Sequence, residues 1–311
     1  MLIETRQLDS FAVQNKQFDL VLGAIGYESR ASYLFTSLKI NAKRKVAIRF
    51  DSNKEFSYKK NEKYFTESGF EIVDSSGDSL MELRELLNTE FSQASRERVS
   101  ILVDYSSMTR VWYSELLRYF KQICLTKNYK IELCFSYTSA EFAPPSPKHV
   151  PNIHVSPIYG FSSLSLPKYP PALIIGLGYE KERAYGLSEY FDSKTFVFIT
   201  DLSFQPKYSQ KVLEENKELL SSPGIVKYEY SLLNMLETER SLNVLCLELL
   251  STCRVVIAPC GPKPFTLLAL VTSLRHANVD VWRISAGSTS SPVDKLPSGT
   301  IIMLEVTLCN D

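Results

Sequence analysis

Short β-branched runs alternate with longer amphipathic stretches along most of the chain, the pattern of parallel strands joined by crossover helices. In the first half the runs Leu20–Leu22, Lys45–Phe50, Phe70–Asp74, Val99–Val103 and Lys130–Ser136 predict strands. In the second half Ala172–Ile175, Thr195–Thr200, Ile225–Tyr230, Val255–Ile257 and Val279–Ile284 do the same, and a helix is expected over Val111–Ile123. Each half then adds an extended segment, Ile153–Ile158 and Ile301–Val306, expected to close as a hairpin on its own fifth strand. Proline interrupts helices and central strands, so Pro144–Pro151 reads as the turn of the first hairpin and Pro167–Pro171 as an interdomain linker.

The two halves also resemble each other in sequence. Gly26-Tyr27-Glu28 recurs as Gly178-Tyr179-Glu180, an offset of 152 residues, each after an apolar run and before an arginine and an alanine. Further on, the strands ending at Val103 and Ile257 lie 154 residues apart, and both run into polar turns. Two unrelated segments recurring at nearly one spacing point to duplication. The expected fold is α/β: two tandem Rossmann-like domains, residues 1–165 and 166–311, each a mainly parallel sheet flanked by helices with a C-terminal β-hairpin.

Composition narrows the function. The chain of 311 residues suits two domains at about 150 residues each. Lys plus Arg equals Asp plus Glu at 35 each, which argues against the broad basic surface that grips duplex nucleic acid. The six cysteines form no C-x-x-C pair and the three histidines lie apart from them, so neither a metal nor a cofactor is expected. No apolar run reaches the roughly 20 residues of a membrane span, and the apolar setting of most of the cysteines fits a reducing compartment, so a cytoplasmic protein is expected.

In open α/β sheets ligands bind beyond the carboxyl ends of the strands, between the loops after the first and fourth. The repeated motifs occupy those loops. Gly26 and Gly178 are expected to open a helix whose amides face an anion, although no complete G-x-G-x-x-G is present; a tight turn alone would also call for glycine. Tyr27 and Tyr179 stand beside them. Glu28 and Glu180 either cap the first helical turn or accept from a ribose or base edge, and Arg30 and Arg183 either reach a phosphate or pair with a nearby carboxylate. The sharpest signal is Asp104-Tyr105-Ser106-Ser107-Met108-Thr109-Arg110, where hydroxyl donors and a cation gather in a strand-to-helix turn suited to phosphate. The plain alternative is an N-capping hydroxyl with an exposed arginine. Cys260-Gly261-Pro262-Lys263 keeps the cation in the second half but not the hydroxyls; Cys260 reads as a small turn residue or as a nucleophile.

The first of these turns resembles the fourth-strand motif of CRISPR-associated Rossmann-fold (CARF) domains, commonly Asn-x-Thr-Gly-Gly-Thr-Lys-x-Met. Asp104 falls at the Asn, Ser106 at the first Thr, Ser107 and Met108 at the glycines, Thr109 at the second Thr and Arg110 at the Lys. The second turn is similar to the end of that motif, with Gly261 at a glycine, Lys263 at the Lys and Phe265 at the Met. Both glycines are missing from the first copy, and Pro262 replaces the Thr in the second, which is also one residue short.

CARF domains pair across a two-fold axis around a cyclic oligoadenylate, and the related SAVED domains are fused CARF pairs that bind cyclic oligonucleotides. The resemblance therefore implies a nucleotide or cyclic-oligonucleotide sensor in antiviral defence, with one composite pocket between the halves. Further copies of the chain or a separate effector protein would read out the bound state. The rival expectation is an enzyme on the same scaffold, a metal-independent phosphodiesterase (ring nuclease) or nucleotide hydrolase, with Ser106, Ser107, Thr109 and Arg110 stabilising the transition state. A third is a non-catalytic scaffold subunit. No Ser-His-Asp order or paired carboxylates assign catalytic residues.

Overall fold

The computed structural model describes residues 1–77, 79–91, 97–127, 129–144, 154–163, 168–180, 182–285 and 292–310. They form two compact units, one of Met1–Glu141 with Pro292–Asp311 and the other of Phe142–Ser291.

Unit 1 carries strands β1 (Leu2–Leu8), β2 (Gln17–Ile25), β3 (Asn41–Phe50), β4 (Glu71–Ser75), β5 (Arg98–Asp104) and β6 (Lys130–Ala140). Its helices are α1 (Ser10–Gln14), α2 (Tyr33–Ser37), α3 (Tyr58–Glu67), α4 (Met81–Phe91) and α5 (Arg110–Lys127). Unit 2 carries β7 (His154–Pro157), β8 (Pro171–Gly176), β9 (Lys194–Thr200), β10 (Val226–Tyr230), β11 (Arg254–Pro259) and β12 (Val279–Ser285). Its helices are α6 (Arg183–Phe191), α7 (Pro206–Glu215), α8 (Lys217–Ser221), α9 (Met235–Leu249) and α10 (Lys263–Arg275). The chain then returns to unit 1 with β13 (Pro297–Cys309).

Both sheets follow one plan. Unit 1 runs β1-β13-β6-β5-β2-β3-β4 and unit 2 runs β10-β9-β8-β11-β12-β7. Each therefore has five parallel strands in the doubly wound order, with the first strand beside the fourth, and one antiparallel strand at the fifth. The two α/β sheets with flanking helices are those the alternating runs predict. The central strands are apolar on both faces, as strands covered on both sides must be: Leu20 through Ile25 of β2 and Ala172 through Gly176 of β8 are buried.

The terminal strands pair differently from expectation. The segment after β6 does not fold back on it; His154–Pro157 pairs antiparallel with β12 of unit 2, while β13 pairs antiparallel with β6 of unit 1. Alternating polarity fixes that a segment is extended, but not its partner, because either fifth strand offers a matching apolar edge. The compact units thus divide the chain near residues 141 and 292, and not near residue 165. Most of Pro144–Pro151 lies outside the described residues. At the expected linker, Pro170 accepts from the Arg254 amide at 3.0 Å and Pro171 opens β8, so both belong to the sheet of unit 2.

The helix α5 buries Trp112, Tyr113, Leu116, Leu117 and Phe120 along one side. In α10, Pro264 through Leu274 are all buried, the mark of a helix enclosed on every side. Among the described residues no helix is long and apolar enough to cross a membrane.

Candidate functional site

In unit 1 the loops after β2 and β5 meet at the point where the strand order reverses. The glycine turn is short. Gly26-Tyr27-Glu28 leads into a 3-10 turn, Ser29–Ser32, and only then into the five-residue α2. Glu28 does not cap this turn with its side chain; its Oε2 accepts from Arg30 Nε at 2.9 Å and from the Ser107 hydroxyl at 3.2 Å. That single carboxylate ties the first-strand loop to the fourth-strand loop.

Arg30 is 4% exposed and points inward. Its Nη1 donates to the Tyr137 hydroxyl and to the Thr138 carbonyl, both at 3.0 Å, and its guanidinium lies 5.1 Å from the centre of the Tyr137 ring. Burial alone would favour the neutral form, but Glu28 and then Tyr137 more than offset it, so its pKa is raised and the side chain stays charged. Of the two roles sequence allows, this is the carboxylate pair. In unit 2, Arg183 likewise pairs with Glu180, Nη1 to Oε1 at 3.4 Å.

The fourth-strand turn of unit 1 divides into braces and mouth. Asp104 Oδ1 accepts from the Ser106 amide at 3.0 Å and from its hydroxyl, and Ser106 Oγ accepts from the Thr138 amide at 2.8 Å. Ser106 is fully buried. Both residues hold the turn against β6. Thr109 Oγ1 accepts from the Trp112 amide at 3.4 Å, capping α5 as the plain reading expects. Trp112 stacks on Phe50 at 4.5 Å and donates to the Ser79 carbonyl, a core role. Ser107 and Arg110 remain half-buried at the mouth, Arg110 as the first residue of the 18-residue α5.

Tyr27 is half-buried, and burial followed by the charge of Glu28 pushes its phenol up to about 12, so it stays protonated. Asn61 Nδ2 donates to the carbonyls of Gly26 at 2.9 Å and Glu28 at 2.8 Å, and Asp294 Oδ1 and Oδ2 accept from the amide and hydroxyl of Ser29, each at 2.7 Å. Neither brace is evident in the sequence, because Asn61 and Asp294 lie far along the chain from the turn they hold.

Unit 2 has the same turns, packed shut. A Cβ on Gly178 would meet the Cys260 carbonyl oxygen at 2.3 Å, one on Gly261 the Leu177 carbonyl at 2.4 Å, and one on Gly176 the Phe265 ring at 2.3 Å. The Cys260 amide donates to the Gly176 carbonyl at 2.8 Å. Here backbone touches backbone and glycine is demanded by packing, the tight-turn alternative. Cys260 is buried in this contact, Tyr179 packs against Tyr208 at 5.3 Å, and Lys263 opens α10 half-buried. In unit 1, by contrast, a Cβ on Gly26 would find Ser107 Cβ at 3.6 Å and the Phe50 ring at 3.7 Å, ordinary contact distances.

Among the described residues no cluster of three or more His, Cys, Asp and Glu side chains is arranged to hold a metal ion. Comparison with protein-family models and with curated proteins finds no match.

Proposed function

We propose that unit 1 binds a nucleotide or cyclic oligonucleotide at the mouth formed by its loops after β2 and β5, and that the corresponding turns of unit 2 are a structural remnant. The observation that carries this reading is the contrast between Gly26 and Gly178. Packing accounts for the glycine in unit 2, where a Cβ would strike a carbonyl, and leaves the glycine in unit 1 unaccounted for. A glycine without close neighbours or a positive φ suits the near approach of a ligand to the backbone. Beside it lies Ser107, and the turn that carries Ser107 runs on to Arg110 and the start of α5, so a hydroxyl, a guanidinium and a helix N-terminus, groups that phosphate and ribose use, follow one another within four residues.

Buried Arg30, Asp104, Ser106 and the cap Thr109 are then the frame of the mouth. Ser107, Arg110, Tyr27 and the backbone at Gly26 make the contacts. This reading needs unit 1 alone.

Incubation of the pure protein with cyclic and linear oligonucleotides of two to six residues, followed by thermal melting and chromatography of the ligand, tests it. A saturable stabilisation with the ligand recovered intact supports a sensor. Recovery of a linearised or shortened product points to the phosphodiesterase, and neither effect leaves a scaffold subunit.

A further inference from the structure

Phe56 is held with φ at 44°, a left-handed conformation that bulky side chains avoid. Phe56 is 57% exposed, so burial in a core does not offset that strain. Strain of this kind gathers where a binding surface requires it. Phe56 stands in the loop after β3, next to β2 in the sheet, and that loop is pinned to the glycine turn. The Ser57 amide donates to the Tyr27 carbonyl at 3.1 Å, and the Ser57 and Ser29 hydroxyls share a 2.7 Å bond. The Phe56 ring is carried to 6.1 Å from the Tyr27 ring, tilted by 52°. One aromatic is fixed and half-buried; the other is strained and open to solvent.

Resting on the reading of unit 1 as a nucleotide site, we infer that Phe56, supported by Tyr27, is the stacking platform for the nucleobase. It selects nucleotides over base-free phosphates. Every base presents a π-face, so the contact tolerates base identity and favours the larger purines.

Calorimetric titration with ATP, cyclic triadenylate and inorganic tripolyphosphate tests the platform in the full chain and in Phe56→Gly and Phe56→Tyr. Glycine removes the ring and accepts the left-handed backbone, so the fold is kept. Loss of one base–aromatic stack should weaken both nucleotides about tenfold in Phe56→Gly, with Phe56→Tyr near wild type. Tripolyphosphate should titrate as in the wild type. If Phe56→Gly binds the nucleotides undiminished, or loses tripolyphosphate in equal measure, the platform is refuted while nucleotide binding by unit 1 stands. If neither nucleotide binds the wild type, both readings fall.

Discussion

The side-chain amide of Asn61 donates to the carbonyl of Gly26 over 2.9 Å, from a helix that begins beyond the neighbouring strand. Asn216 does the same for Gly178 over 2.8 Å, again from the crossover after the second parallel strand of its unit. Both side chains are buried. The repeated Gly-Tyr-Glu segments thus share a structural counterpart in the brace that holds each glycine turn, although the turns themselves are packed differently.

Removing that brace should cost stability in its own unit. Asn61→Ala removes the Asn61 bond from the Gly26 carbonyl and the Ser32 hydroxyl, while the Glu28 carbonyl keeps the Ala31 amide at 3.0 Å, and with about 1–3 kcal/mol for each of the two buried groups a loss of roughly 2–6 kcal/mol is expected. The chain has two tryptophans, Trp112 in unit 1 and Trp282 in unit 2, so urea unfolding in Trp282→Phe and Trp112→Phe backgrounds reads each unit separately. Asn61→Ala should lower the midpoint seen by Trp112 more than that seen by Trp282.

Much of the fold was legible because period-2 and period-3.6 patterns report local structure directly. The ten parallel strands fall where the apolar runs lie, and α5 and the Arg30–Glu28 pair answer to readings of the sequence. What sequence could not supply is pairing at a distance. The swapped partners of His154–Pro157 and β13 depend on which fifth strand each meets, and Leu2–Leu8, rich in polar residues, becomes a strand only through its pairing with β13. Within the site, Ser106 reads in sequence as a ligand-binding hydroxyl because only the fold shows it buried against Thr138. Phe56 went unseen because its signal is a backbone angle, and nothing in its neighbours encodes that.

Glycine substitutions should separate the two units sharply. Alanine at Gly178 drives a Cβ into the Cys260 carbonyl, a backbone contact that cannot rotate away, so a loss of about 3 kcal/mol or more or outright misfolding is expected. Alanine at Gly26 meets ordinary contacts and should change stability by less than about 1 kcal/mol. Expression and thermal melting of the two variants decide the matter. Equal damage at both positions would contradict the contrast on which the unit 1 site rests.

The buried carboxylates of unit 1 set its acid limit. Burial opposes charge on Glu115 and Glu132, but Arg118 with Arg84, and Arg98 with Lys16, outweigh it, so both pKa values lie below the ordinary 4.5. A carboxylate with a depressed folded pKa contributes stability that is present above the unfolded value and lost as pH falls through the folded one. The Trp112-reported midpoint should therefore hold from pH 7 to about 5 and drop below about pH 4.5. Glu115→Gln should be less stable at pH 7 yet show a shallower drop, and an unchanged slope would count against its ion pairs.

Asp294 fastens the segment leading into β13 to the glycine turn. It accepts twice from Ser29, while the Lys295 carbonyl accepts from the Arg30 amide at 3.1 Å. Asp294→Ala should cost roughly 1–2 kcal/mol, reduced by its partial exposure, and loosen the chain at Lys295. Limited trypsin digestion read by mass spectrometry should show earlier cleavage after Lys295 in the variant. Equal protection would mean that the strand pairing of β13 alone secures this segment.

Arg30 and Arg110 carry opposite expectations although the sequence places both at candidate phosphate positions. Arg30 bonds Glu28, Tyr137 and Thr138 inside unit 1, so Arg30→Ala leaves the partly buried Glu28 carboxylate without its cation and should destabilise the unit by about 3 kcal/mol. Arg110 is half-buried at the start of α5, and its replacement by alanine should weaken nucleotide binding by about 1.5–3 kcal/mol if it donates charge-assisted bonds to phosphate. Lys263→Ala, at the equivalent position of the closed turn in unit 2, serves as the control and should leave the titration unchanged. Should Lys263→Ala abolish binding while Arg110→Ala leaves it intact, the ligand belongs to unit 2 and the assignment of the open mouth is reversed.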